Sequence, residues 1–142
     1  MTLPTHVMKH MACLMAAAGL SLNAQVVVIT SAKNPISKVT SDQLAQIFLG
    51  QVSTFYTGGR AEPLDLQPTS PLREDFYQKF LGKSQAQIKA YWSKQAFSGK
   101  GQPPRILPSS QELIKLVAEN PKYIAYVEPG AVDASVKVLK VQ

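Results

Sequence analysis

Cysteine and histidine are almost missing from this chain of 142 residues: His6, His10 and Cys13 are all it has, and they sit together near its start. From Gln25 onward there is no thiol and no imidazole. For any domain built from that part, disulfide bonds, thiolate nucleophiles, histidine general bases and Cys/His metal sites are excluded together. Long apolar runs are also lacking. The longest, Met11 to Leu20, falls short of the ~20 residues that span a bilayer. No Ser-x-x-Lys, no Gly-x-Ser-x-Gly and no acid cluster spaced for a metal occurs. The reading is therefore not an enzyme, with no cofactor. Basic residues are scattered, and the connector from Lys100 to Arg105 holds only those two cations with no aromatics between them, which argues against nucleic acid.

What is present begins with a leader. His6, Lys9 and His10 give a weakly basic start, Met11 to Leu20 an apolar segment, and Ser21-Leu22-Asn23-Ala24 a small-residue end. That order is a secretory signal peptide cleaved after Ala24. An uncleaved anchor would need a stop-transfer pattern, and none follows; a lipoprotein at Cys13 would need a leucine that His10-Met11-Ala12 does not supply. Residues 1–24 are thus expected to be lost, leaving residues 25–142 as one periplasmic domain with no membrane span. At 45% hydrophobic and 17% charged, the composition suits one globular unit. The net charge of +6 favours anionic partners, although it also serves solubility.

The remaining chain alternates strand and helix signals. Val26 to Thr30 is a β-branched run that reads as a strand buried on both faces. Thr40 to Gln43 forms a capping box, with Leu44, Ile47 and Phe48 at helical spacing and Gly50 as the stop. Pro63 to Gln67 predicts a short strand. Ser70-Pro71 followed by Glu74 and Asp75 predicts a helix to Leu81, ended by Gly82. Ser84 and Gln87 start another helix, whose Ile88, Tyr91, Trp92 and Ala96 form an apolar face reaching Phe97. These aromatics are expected to pack in the core rather than stack on a ligand. Ser109 and Glu112 cap a helix with Leu113, Ile114, Leu116 and Val117 inward, stopped by Asn120-Pro121. Tyr123 to Val127 is a strand, Glu128-Pro129-Gly130 a turn, and Val136 to Val141 an edge strand. The order β-α-β-α-α-α-β-β predicts an α/β domain with at least part of the sheet parallel.

Two segments carry a family likeness. Leu44-Ala45-Gln46-Ile47-Phe48-Leu49-Gly50 is similar to a Leu-x-x-Ile-(Phe/Tyr)-Leu-Gly helix, and Pro121 to Glu128 is similar to a Pro-Gly-Ala-Ile-Gly-Tyr-Val-Glu strand, both of the phosphate-binding proteins of ABC transporters. The segment from Val27 to Ile36 also resembles that family's crossover between lobes. In their order and separation these pieces resemble the second lobe of a type 2 periplasmic binding protein. The resemblance implies a three-layer lobe with a mixed, mostly parallel sheet and helices on both faces. It further implies a solute-binding role related to phosphate transport. The family's glycine-rich N-terminal phosphate loop has no counterpart here. Its arginine followed by a Gly-Ser-Gly-Thr turn falls at Gln67 to Arg73, so that Gln67 stands where the family has arginine and Arg73 where it has threonine.

A helix start offers unpaired N–H groups and partial positive charge to an anion. Ser70 can add a hydroxyl, and Arg73 a bidentate guanidinium. Thr69, Gln67 and the strand-end residues Thr30 and Ser31 are expected to complete the rim, since ligands of open α/β sheets sit at strand carboxyl ends. The competing structural roles are Ser70 as an N-cap and Arg73 paired at the surface with Asp75, Glu74 or a neighbouring acid. Glu74 and Asp75 would repel phosphate, which points to weak binding of phosphate or another small oxyanion. The alternative is an envelope module that uses the exposed half-cleft to dock a protein partner or a second copy as a homodimer.

Overall fold

The computed structural model describes residues 25–142; the leader and its cleavage point lie outside the described residues. Seven strands and four helices follow in the order β1 (Val27–Ser31), β2 (Lys38–Val39), α1 (Ser41–Phe48), β3 (Glu62–Asp65), α2 (Pro71–Phe76), α3 (Gln85–Phe97), β4 (Arg105–Ile106), α4 (Ser110–Glu119), β5 (Tyr123–Val127), β6 (Val136–Val138) and β7 (Lys140–Val141).

The main sheet runs β4-β3-β5-β1-β6. β3 pairs in parallel with β4 and with β5, whereas β1 lies antiparallel to both β5 and β6. Four strands therefore share one direction and β1 alone opposes them, which makes the sheet mixed and mostly parallel. A small second sheet joins β2 to β7. Alternation along β5 sends Ile124 and Tyr126 to one face and Tyr123, Ala125 and Val127 to the other. The first face meets α1 and α2, with Phe76 stacked on Tyr126 at 4.1 Å between ring centroids. The second is covered by α4, which also packs on β1. Helices thus cover both faces, as a three-layer α/β lobe requires.

Local chemistry explains the helix ends. Thr40 and Ser84 each accept from the backbone N–H three residues on, and Gln43 and Gln87 return the bond to the cap N–H, so both capping boxes form. Gly50 follows α1 at φ 70, and a Cβ built there would stand 3.2 Å from Trp92 Cη2. α2 continues into a π-helical turn, Tyr77–Leu81, that Gly82 ends at φ 64. The expected strand at Pro63–Gln67 begins and ends earlier, because the chain leaves the sheet after Asp65 to reach the turn before α2. Phe97 departs from expectation. It is 96% exposed, whereas Ile88 and Trp92 on the same helix are buried. Nine positions at about 100° each place Phe97 about 180° from Ile88, on the opposite face.

Candidate functional site

The parallel strands β3 and β5 and the segment after β4 end at one edge of the sheet, and the starts of α2 and α4 face the same edge. Between them lies a groove of about 510 Å³, lined among others by Leu66, Gln67, Thr69, Ser70, Ser110 and Glu128. Three of the residues singled out from the sequence, Gln67, Thr69 and Ser70, therefore come together here.

Ser70 occupies the N-cap position of α2, yet its side chain makes no capping hydrogen bond. The first-turn N–H groups of Leu72 and Arg73 therefore receive nothing from the cap side chain, and Pro71 has no N–H to satisfy. The hydroxyls of Thr69 and Ser70 and the amide of Gln67 are uncommitted among the described residues. On the facing wall, Ser109 caps α4 by accepting from the Glu112 N–H at 3.2 Å. Ser110 Oγ donates to Glu128 Oε2 at 2.5 Å. The lining contributes hydroxyls, one amide, backbone N–H groups and one carboxylate, and no side-chain cation.

Arg73 lies elsewhere. It is 9% exposed, and its Nε donates to Oδ1 of Asp65 at 3.2 Å; Asp65 itself is 1% exposed. Asp65 also accepts from the Tyr77 hydroxyl at 2.6 Å, from the Tyr126 hydroxyl and from the Leu66 N–H at 2.9 Å. Nη1 of Arg73 donates to Gln85 Oε1, and Gln85 Nε2 donates to the Pro68 carbonyl at 2.5 Å. The guanidinium is thus spent on neutralising a buried carboxylate and, through Gln85, on tying down the turn that carries Thr69 and Ser70. Its partner is Asp65, not Glu74 or Asp75 as the sequence suggested. Burial first, and then the Asp65 charge and hydrogen bond, push both the Tyr77 and the Tyr126 phenols far above their ordinary range.

Thr30 and Ser31 do not reach the groove. Because β1 runs against its neighbours, its carboxyl end falls at the opposite edge of the sheet. Thr30 pairs with Ile124, which pairs with Pro63 near the start of β3, about 10 Å along the strands from the groove. Both residues are fully buried. Ser31 Oγ donates to the Ala118 carbonyl at 3.4 Å, and Thr30 Oγ1 has no partner.

Sequence reading missed Asp65, Ser110 and Glu128. An acid inside the apolar stretch Leu64-Asp65-Leu66 was the available signal for the first, since a buried carboxylate demands a cation and donors. The other two follow only from knowing that α2 and α4 start at one edge. Among the described residues no group of three or more acidic residues is placed to hold a metal ion. No described helix is long and apolar enough to cross a membrane.

The fold has counterparts among solved structures. An ABC-type phosphate transport receptor from Vibrio cholerae superposes with a TM-score of 0.65 at 20% identity, over 82% of this chain and 45% of its own. The chain has the fold of these receptors. A phosphate ABC transporter substrate-binding protein from Clostridium perfringens, determined with bound phosphate, gives a TM-score of 0.63 at 22% identity over 82% and 44%. PstS from Borrelia burgdorferi gives 0.58 at 17% over 82% and 47%. The chain spans less than half the length of each of these receptors. No protein-family model matches the sequence, and no curated protein does.

Proposed function

We propose that this chain is an exported, solute-binding module that holds a small oxyanion, phosphate or a chemical relative, in the groove between the β3–α2 turn and the start of α4, and does not transform it. The observation that carries this reading is Ser70. A serine at an N-cap normally spends its hydroxyl on the helix, and here that hydroxyl is uncommitted and lines the groove beside Thr69 and Gln67. Donors left open toward a concavity are what an acceptor-rich ligand needs. The fold shared with phosphate receptors supports the same class of ligand. Binding is weak, because no side-chain cation lines the groove and Glu128 does. No thiol or imidazole is present from Gln25 onward to drive bond making or breaking. The periplasm is the proposed compartment, from the leader.

Calorimetry on residues 25–142 with phosphate, sulfate and acetate tests the proposal. Phosphate is expected to give heat with a Kd of about 0.1 mM, and Ser70→Ala to weaken it about threefold to tenfold, the worth of one hydrogen bond. No heat from any of the three anions removes the ligand role. A stable dimer by light scattering with no anion heat would instead favour association with a second copy over anion binding.

A further inference from the structure

At the opposite edge of the sheet, a second concavity of about 260 Å³ lies between the end of α1, the start of β3, α3 and the connector leading into β4. Its lining includes Ser53, Arg60, Glu62, Trp92, Pro104 and Arg105. We propose that it is a binding site for a small carboxylate with an apolar body.

The charge balance points to an anion. Glu62 is engaged by Lys122 at 3.4 Å, and Arg60 reaches it only at 3.9 Å with a side chain that is 72% exposed. Arg105 makes no ion pair among the described residues. Two guanidiniums therefore line the pocket with one acid, which Lys122 engages from outside the lining, and the planar fork of a guanidinium matches a carboxylate with parallel hydrogen bonds. The walls account for the apolar body. Trp92 packs its indole against Gly50, while Pro63, Pro103 and Pro104 supply flat, rigid surface that loses no side-chain entropy on binding. Contrast with the groove is direct: the groove's lining holds a carboxylate and no side-chain cation, whereas this pocket sets two arginines against one carboxylate beside an aromatic ring.

Trp92 is the single tryptophan of the chain, so its fluorescence reports on the pocket without labelling. Cyclohexanecarboxylate is titrated against residues 25–142 at constant ionic strength, with acetate and phosphate as comparators. A saturable change with cyclohexanecarboxylate is expected, weakened about tenfold in Arg105→Gln and in Arg60→Gln, with acetate and phosphate far weaker. Both arginines are exposed, and unchanged thermal melts of the variants confirm that the fold is intact. No saturable change up to about 10 mM overturns the proposal. So does a response that both variants retain in full, or one that acetate matches.

Discussion

Nε of Arg73 lies 3.2 Å from Oδ1 of Asp65, eight residues earlier, and both side chains are almost wholly out of solvent. The pair fixes the first helix after β3 to the end of that strand. Removing one member leaves the other charge buried and alone, which costs about 3–5 kcal/mol. Arg73→Met is therefore expected to lower stability by about that amount in urea unfolding. The double variant Asp65→Asn with Arg73→Met is expected to recover part of the loss. A cost below about 1 kcal/mol for Arg73→Met would show that the pair is not what holds α2 in place.

The phenols of Tyr77 and Tyr126 share the same carboxylate, and both are shifted upward by burial and by Asp65. The consequence for pH has a definite sign. Below the unfolded phenol value of about 10, both states keep their protons and the stabilisation is complete. Above it the unfolded chain releases protons that the folded chain retains, so stability falls by about 1.4 kcal/mol per pH unit for each phenol, about 2.8 for the two together. Alkaline unfolding followed by circular dichroism and phenolate absorbance is expected to show these two tyrosines ionising only as the fold is lost. Tyr126→Phe is expected to be less stable at neutral pH by about 1–3 kcal/mol and to have a shallower alkaline slope. Phenolate signal for all five tyrosines before any loss of secondary structure would contradict this.

Gly50 ends α1 at positive φ with Trp92 against it. Gly50→Ala must place a Cβ in a left-handed conformation and push the indole by a few tenths of an ångström. It is expected to cost about 1–3 kcal/mol in thermal or urea unfolding and to change Trp92 fluorescence. Gly82, at a similar φ with nothing near its Cβ position, is the control. Gly82→Ala is expected to cost less and to leave the fluorescence unchanged.

Phe76 fills the space between α2 and the sheet, stacked on Tyr126 and 4.7 Å from the Phe48 ring centroid. Phe76→Ala is expected to cost about 3–5 kcal/mol in urea unfolding. A loss under about 1 kcal/mol would mean that the face between α1, α2 and the sheet does not carry the core.

Helix starts were legible because capping is local chemistry. Thr40 with Gln43, Ser84 with Gln87 and Ser109 with Glu112 each mark a helix within one residue of where it begins. The strand Tyr123–Val127 was equally plain, since a run buried on both faces needs no alternation. What stayed hidden was direction. Nothing in Val26 to Thr30 says that this strand opposes its neighbours, and that single reversal sends Thr30 and Ser31 to the edge away from the groove. Two-residue strands such as Arg105–Ile106 have too little sequence to signal themselves. Arg73 shows the same limit at the site. Its chemistry was clear from its type, and its use depended on a carboxylate eight residues earlier on the facing strand. Gln67, Thr69 and Ser70 reached the groove because the turn that holds them is short and leads straight into a helix.

Amide shifts of isotope-labelled residues 25–142, followed by NMR as phosphate is added, test the central claim most directly. Saturable shifts are expected in Gln67, Thr69, Ser70, Leu72 and Arg73 and at the start of α4 from Ser110 to Glu112, with Thr30 and Ser31 unmoved. No shift in any of these amides, or shifts that gather at the edge of the sheet holding Thr30, would contradict it.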